Sequence, residues 1–138
     1  MLPLRWARGW QVASIILLVL VLVAGVAPVV WLWPDRGDVV RYFAHIDKWA
    51  HAVTFMFLAL WFCGQYTRQA YWRIALGLLV YGIVIEAAQR MVGYRTADPF
   101  DVVANISGIG VGLTLGLLGA GGWSQWFERL VAGRRELD

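Results

Sequence analysis

The stretch Tyr81-Gly82-Ile83-Val84-Ile85-Glu86-Ala87-Ala88-Gln89-Arg90 decides how this chain is read. It closes an apolar run long enough to cross a bilayer, and Glu86 stands inside that run. A carboxylate within a spanning helix costs roughly 2.5–3.5 kcal/mol on insertion scales. A membrane reading therefore requires polar partners for Glu86 from other stretches, at the same depth.

The composition supports the membrane. Of 138 residues, 60% are hydrophobic, and a soluble domain of this size buries only about two-thirds of its surface. The apolar residues lie in blocks of roughly 18–24, the length that spans about 30 Å of hydrocarbon. The expected fold is all-α: a polytopic membrane protein with four transmembrane helices in a bundle, forming a single domain over residues 1–138. The net charge of +3 comes from scattered basic residues. They form no stripe of the kind that tracks a nucleic acid, so no nucleic-acid partner is expected. Cys63 is the one cysteine, which excludes an internal disulfide.

The first span is expected at about 10–33, after Arg5 and Arg8. It has the basic start and apolar core of a signal peptide. It reads instead as a retained span, because Pro28 would follow a cut after Ala27 and the apolar run continues to Trp33. A charged loop at 34–46 follows, with a short amphipathic turn around Val39, Val40, Tyr42 and Phe43, and with His45 as a solvated residue. The second span is expected at 48–66, a short loop at 67–73, and the third span at 72–91. Asp98-Pro99 reads as the N-cap and first position of the fourth span, 99–122. The tail 123–138 reads as an interfacial helix, with Trp126, Phe127, Leu130 and Val131 on one side and Arg129, Arg134 and Arg135 on the other.

Four spans place both termini on one side. Arg5, Arg8, Arg68, Arg73, Arg129, Arg134 and Arg135 share it, against Arg36, Arg41, Lys48, Arg90 and Arg95 opposite. The positive-inside bias then makes both termini cytoplasmic in a bacterial inner membrane. Trp10, Trp72 and Trp123 are expected at the inner interface and Trp31, Trp33 and Trp49 at the outer one.

With the spans placed, the polar residues converge at the outer ends. Asp47 and His51, Glu86 and Arg90, and Asp101 and Asn105 are each spaced i,i+4, so each pair shares a helix face. Polar faces avoid lipid and turn toward the bundle. Gly108, Gly112 and Gly116 form a small-xxx-small ridge on the fourth span, which brings another helix close and aims Asn105 inward. The same ridge also suits an oligomer of this chain. The half of the bundle nearer the termini is expected to be apolar, apart from Ser14, Thr54 and Thr114.

Asp47-Lys48-x-x-His51-x-x-x-Phe55, Glu86-x-x-Gln89 and Arg95-x-x-Asp98-x-x-Asp101-x-x-x-Asn105-x-x-Gly108-x-x-x-Gly112 together resemble the VanZ-like family of small bacterial membrane proteins. The resemblance covers the second to fourth spans. It implies a four-helix protein of the cell membrane, and its name-giving member is associated with resistance to teicoplanin, a lipoglycopeptide. No reaction comes with the motif, and no cofactor is implied.

The residues leave several functions open. In an enzyme on a lipid-linked envelope substrate, His51 and Glu86 would be acid–base groups, with Asp47 orienting His51. Lys48, Gln89, Arg90, Arg95, Asp98, Asp101 and Asn105 would bind, the arginines holding phosphate or carboxylate. A metal variant would use His51, Glu86 and Asp101 as ligands. No His-x-x-x-His pair accompanies them, and no metal is assigned. In a non-catalytic binder the same pocket would capture a headgroup or a lipoglycopeptide. A transporter fits less well, because no internal repeat is present. The bland alternative is that the polar cluster only locks the helices, with Asp98 a cap and the arginines snorkelling to phosphates.

Overall fold

The computed structural model describes residues 1–27, 37–91 and 99–134, with the side chains of 37–47, Pro99 and Arg134 outside the description. All regular structure in these residues is helical. In order, α1 is Ala7–Val26, α2 is Gly37–Gln65, α3 is Tyr71–Met91, α4 is Pro99–Leu115 and α5 is Trp123–Arg134. A single turn at Arg68–Ala70 leads into α3, and a widened turn at Gly116–Ala120 ends α4.

Three helical stretches are long and apolar enough to cross a membrane: Ala7–Val26, Arg68–Met91 and Phe100–Ala120. Their outward faces show why. Ile15, Val19 and Val23 on α1, Val80 and Ile83 on α3, and Val103 and Ile106 on α4 are all about half exposed. Such a girdle of bare aliphatic side chains suits lipid, not water. The inward faces close on a small core of Phe55, Leu58, Ala59, Leu78, Ile85 and Ile109.

α2 is not one of those three. It carries Lys48, His51 and Gln65, and it packs against α3, α4 and α5, with α4 its most extensive neighbour. A helix covered on several faces by protein can hold polar side chains that a lipid-facing helix cannot. It also starts earlier than the sequence suggests. The loop expected at 34–46 is helical from Gly37 onward. No proline and no internal glycine lies between Gly37 and Gly64 to stop it. The predicted amphipathic turn is therefore the first part of α2.

Two further boundaries move. α3 begins at Tyr71, so the loop before it is shorter than expected. The fourth span, expected to reach residue 122, ends as regular α-helix at Leu115. Gly119 has φ +138° and Gly122 φ +75°, conformations that glycine adopts without a Cβ penalty. These two glycines break the chain direction and start α5. α4 does begin at Pro99, as the Asp98-Pro99 pair predicts, although Asp98 itself lies outside the described residues. Residues 28–33 of the first predicted span also lie outside them.

The helices alternate in direction, so the bundle has two distinct ends. The starts of α1 and α3, the finishes of α2 and α4, and α5 meet at one end. There Leu2 N–H donates to Gln65 O at 2.8 Å and Gly122 N–H to Cys63 O at 3.0 Å. The finishes of α1 and α3, the middle of α2 and the start of α4 meet at the other.

Candidate functional site

At the end away from the termini, each of three helices turns one polar stripe inward. On α3 the buried positions are Gly82, Ile85, Glu86 and Gln89, while Ile83 and Val84 face out. On α4 Asp101 and Asn105 continue directly into Gly108, Ile109 and Gly112. On α2 His51 stands one turn above Phe55. The spacing i, i+3, i+4 that buries the apolar core also buries these polar groups, because they lie on the same faces.

The glycine ridge sets their distance. A Cβ on Gly112 would lie 2.5 Å from Met56 O and 2.7 Å from the Ala59 Cβ, and one on Gly108 would run into Ala52 O. Bare glycines thus let the backbones of α4 and α2 touch. One turn further along, Asn105 Oδ1 meets His51 Nδ1 at 3.0 Å. Gly82 on α3 leaves room on the other side, since a Cβ there would sit 2.9 Å from Asn105 Nδ2. Asn105 is therefore held between two helices that only small residues allow so near.

The acidic groups join the same cluster. A ring nitrogen of His51 and one carboxylate oxygen each of Glu86 and Asp101 all lie within 4.8 Å of one another. All three residues are buried, with relative exposures of 9%, 4% and 5%. Lys48 Nζ lies 3.5 Å from Asp101 Oδ1 and 5.7 Å from the centre of the Phe100 ring. Its side chain is about one-third exposed, so it stands at the edge of the cluster.

The structure thus brings together His51, Glu86, Asp101, Asn105 and Lys48. Gln89 shares the α3 stripe, but its amide donates to Gly25 O at 2.7 Å and ties α3 to α1. Arg90 is exposed, one position beyond the stripe. The side chain of Asp47, and Arg95 and Asp98 altogether, lie outside the described residues, as does the side chain of His45. Gly108, Gly112 and Gly116 pack as the ridge predicts, against Ala52, Met56 and Cys63 of α2 in the same chain.

A second polar network, at the terminal end, was not legible from spacing. Gln65 is 1% exposed. Its amide donates to Ser14 Oγ at 3.1 Å, and the Trp61 indole donates to the same oxygen at 2.9 Å. Trp10 and Trp123 pack with Trp61 at ring separations of 5.6 and 5.5 Å. Trp49 and Trp72 are exposed, as interfacial rings are. The expectation of an apolar inner half is corrected by this network: Gln65 ends α2 facing the bundle, where Ser14 of α1 is in reach. A cavity of about 410 Å³ lies near this end between α1, α2 and α3, lined by Leu18, Phe62, Tyr66, Arg73, Ile74 and Tyr81 among others.

The family model described as VanZ/LLP1 matches residues 2–119. No curated protein and no solved structure matches the chain. The matched region contains α1 to α4 and every residue of the polar cluster, and leaves out α5.

Proposed function

The chain belongs to the VanZ/LLP1 family of membrane proteins, and we propose that its polar cluster receives the charged headgroup of a lipid-linked envelope component at the outer leaflet. In this reading α2 is a fourth span beside the three apolar ones. From Lys48 at the rim to its end at Gln65, α2 rises about 27 Å at 1.5 Å per residue, close to the thickness of the bilayer core. Four crossings return the chain to its starting side, and the arginine bias makes that side the cytoplasm. α5 would lie along the inner interface, because Trp126, Phe127 and Leu130 are exposed beside the exposed Arg129.

One observation carries the proposal: ionisable residues from three helices are buried together at the end opposite the termini, with Lys48 at the rim. Intramembrane ionisable groups mark ligand or ion sites by default. Lys48 is placed to take a phosphate or carboxylate, while His51, Glu86 and Asp101 lie deeper. Arg90, exposed at the same end, adds positive charge at the surface.

The test is binding in lipid nanodiscs. A polyprenyl-pyrophosphate-linked precursor and teicoplanin are each compared with phosphatidylglycerol as competitor. One of the two envelope ligands should be preferred, and Lys48→Ala should weaken that preference about tenfold, equivalent to about 1.4 kcal/mol. Equal retention of all three ligands, or a preference untouched by Lys48→Ala, contradicts the proposal. The closed His51–Asn105 bond favours a second reading, in which the cluster only locks α2 to α4. Under it, the same substitutions change unfolding and leave ligand binding flat.

A further inference from the structure

We infer that His51, Glu86 and Asp101 form a binding site for one divalent transition-metal ion. The three donors come from α2, α3 and α4, so the folded bundle assembles them. Donors about 2.1 Å from a common metal lie at most about 4.2 Å apart. The observed 4.8 Å spread closes to that with small side-chain rotations. The two carboxylates match the charge of a divalent ion, and the imidazole favours a transition ion such as zinc over calcium and magnesium, which prefer all-oxygen sites.

An independent observation points the same way. Asn105 Oδ1 lies 3.0 Å from His51 Nδ1, and an amide oxygen can only accept. In the tautomer that makes this bond, Nδ1 carries the hydrogen and Nε2 keeps the lone pair that a metal needs. Metal-ligating histidines are prepared in this way by a hydrogen bond at the other nitrogen. Asn105 is 1% exposed and packs closely against the bare backbone of Gly82. Resting on the headgroup reading above, the ion would bridge a ligand phosphate to carboxylates that would otherwise repel it.

The experiment uses the full chain in detergent, stripped with a chelator and then dialysed against zinc, manganese or cobalt alone. One ion per chain is expected. His51→Ala and Glu86→Gln should each lower affinity about 100-fold, and Asn105→Ala about 10–100-fold. His45→Ala should leave it unchanged. Because a variant can fail to fold, the wild type labelled with nitrogen-15 histidine provides a second readout. Zinc should shift Nε2 of one histidine and leave its Nδ1 protonated. Clearly substoichiometric binding, or binding that survives His51→Ala, overturns the metal site. Envelope-ligand binding that persists in chelator overturns the metal site and spares the headgroup reading. One tightly bound ion with no lipid preference does the opposite.

Discussion

Gly112→Ala and Gly108→Ala should each destabilise the bundle by about 3 kcal/mol or more, beyond the ordinary 1–3 kcal/mol of an overpacked core. Gly110→Ala, between them, should stabilise it by about 0.5–1 kcal/mol, the usual gain when a helical glycine becomes alanine. The contrast comes from what each new methyl meets. At Gly112 it meets Met56 O at 2.5 Å and the Ala59 Cβ at 2.7 Å, whereas at Gly110 nothing lies within 4 Å. At Gly108 the obstacle is the Ala52 carbonyl. A flexible side chain could swing away, but a backbone carbonyl within a helix cannot, so α2 and α4 must separate. Separation would also pull Asn105 from His51, one turn beyond Gly108. Reversible unfolding of the three variants in mixed micelles checks the order. Equal effects at Gly108 and Gly110 would mean that the two helices do not touch along this ridge.

Glu128→Ala should cost about 3 kcal/mol, on the scale of 1.5–3 kcal/mol for each hydrogen bond to a charged group, with the sum reduced by non-additivity. The Glu128 carboxylate accepts the Arg5 N–H at 2.8 Å, the Trp6 N–H at 3.0 Å and the Trp10 indole N–H at 2.9 Å. α1 begins without a side-chain cap and without an acidic residue in its first turn. Glu128 of α5 supplies the negative charge that the positive end of α1 lacks. Burial pushes this carboxyl up. The Trp6 and Arg5 N–H groups, the Trp10 indole and the Arg5 charge outweigh that and hold it below its ordinary value. A depressed carboxyl contributes stability that is complete above the unfolded pKa, about 4.3 for glutamate. That contribution disappears as pH falls through the lower folded value. Thermal unfolding against pH should therefore show wild type and Glu128→Gln far apart at neutral pH and converging in acid. A gap that persists unchanged at low pH would assign the effect to packing.

The polar cluster was legible because its logic is local. An i,i+4 pair fixes a helix face, and the cost of a buried charge says which way the face turns. Glu86, His51, Asp101 and Asn105 followed from that alone, and so did the ridge from Gly108 to Gly116. Arg90 did not follow. Its i,i+4 spacing from Glu86 suggested a shared face, but the buried stripe of α3 ends with Gln89, whose amide reaches α1 instead. The triad His51, Glu86 and Asp101 was also readable as a ligand set, but no metal was assigned to it. Each ligand sits on a separate helix, so no single stretch shows a ligand pair.

α5 inverts the familiar pattern of a surface helix. Its apolar stripe was readable, and Trp126, Phe127 and Leu130 are indeed exposed. The pattern did not reveal that Ser124 and Glu128, two ordinary polar residues of a surface helix, are the buried ones. Ser124 Oγ donates to Gly64 O, and Glu128 holds the entry to α1. Partners sixty or more residues away leave no trace in local periodicity. The early start of α2 was obscured in a similar way, because charges at 35–41 look like a loop when only hydropathy is followed.

The central claim is that side chains of α2, α3 and α4 form one ligand-holding site at the end of the bundle opposite the termini. A cryo-EM map of the protein in nanodiscs, with the preferred envelope ligand added, tests it most directly. Density for an ion or a phosphate touching both His51 and Glu86 is the predicted result. A dry contact closed by protein side chains alone, or a Glu86 carboxylate turned toward lipid, would contradict it.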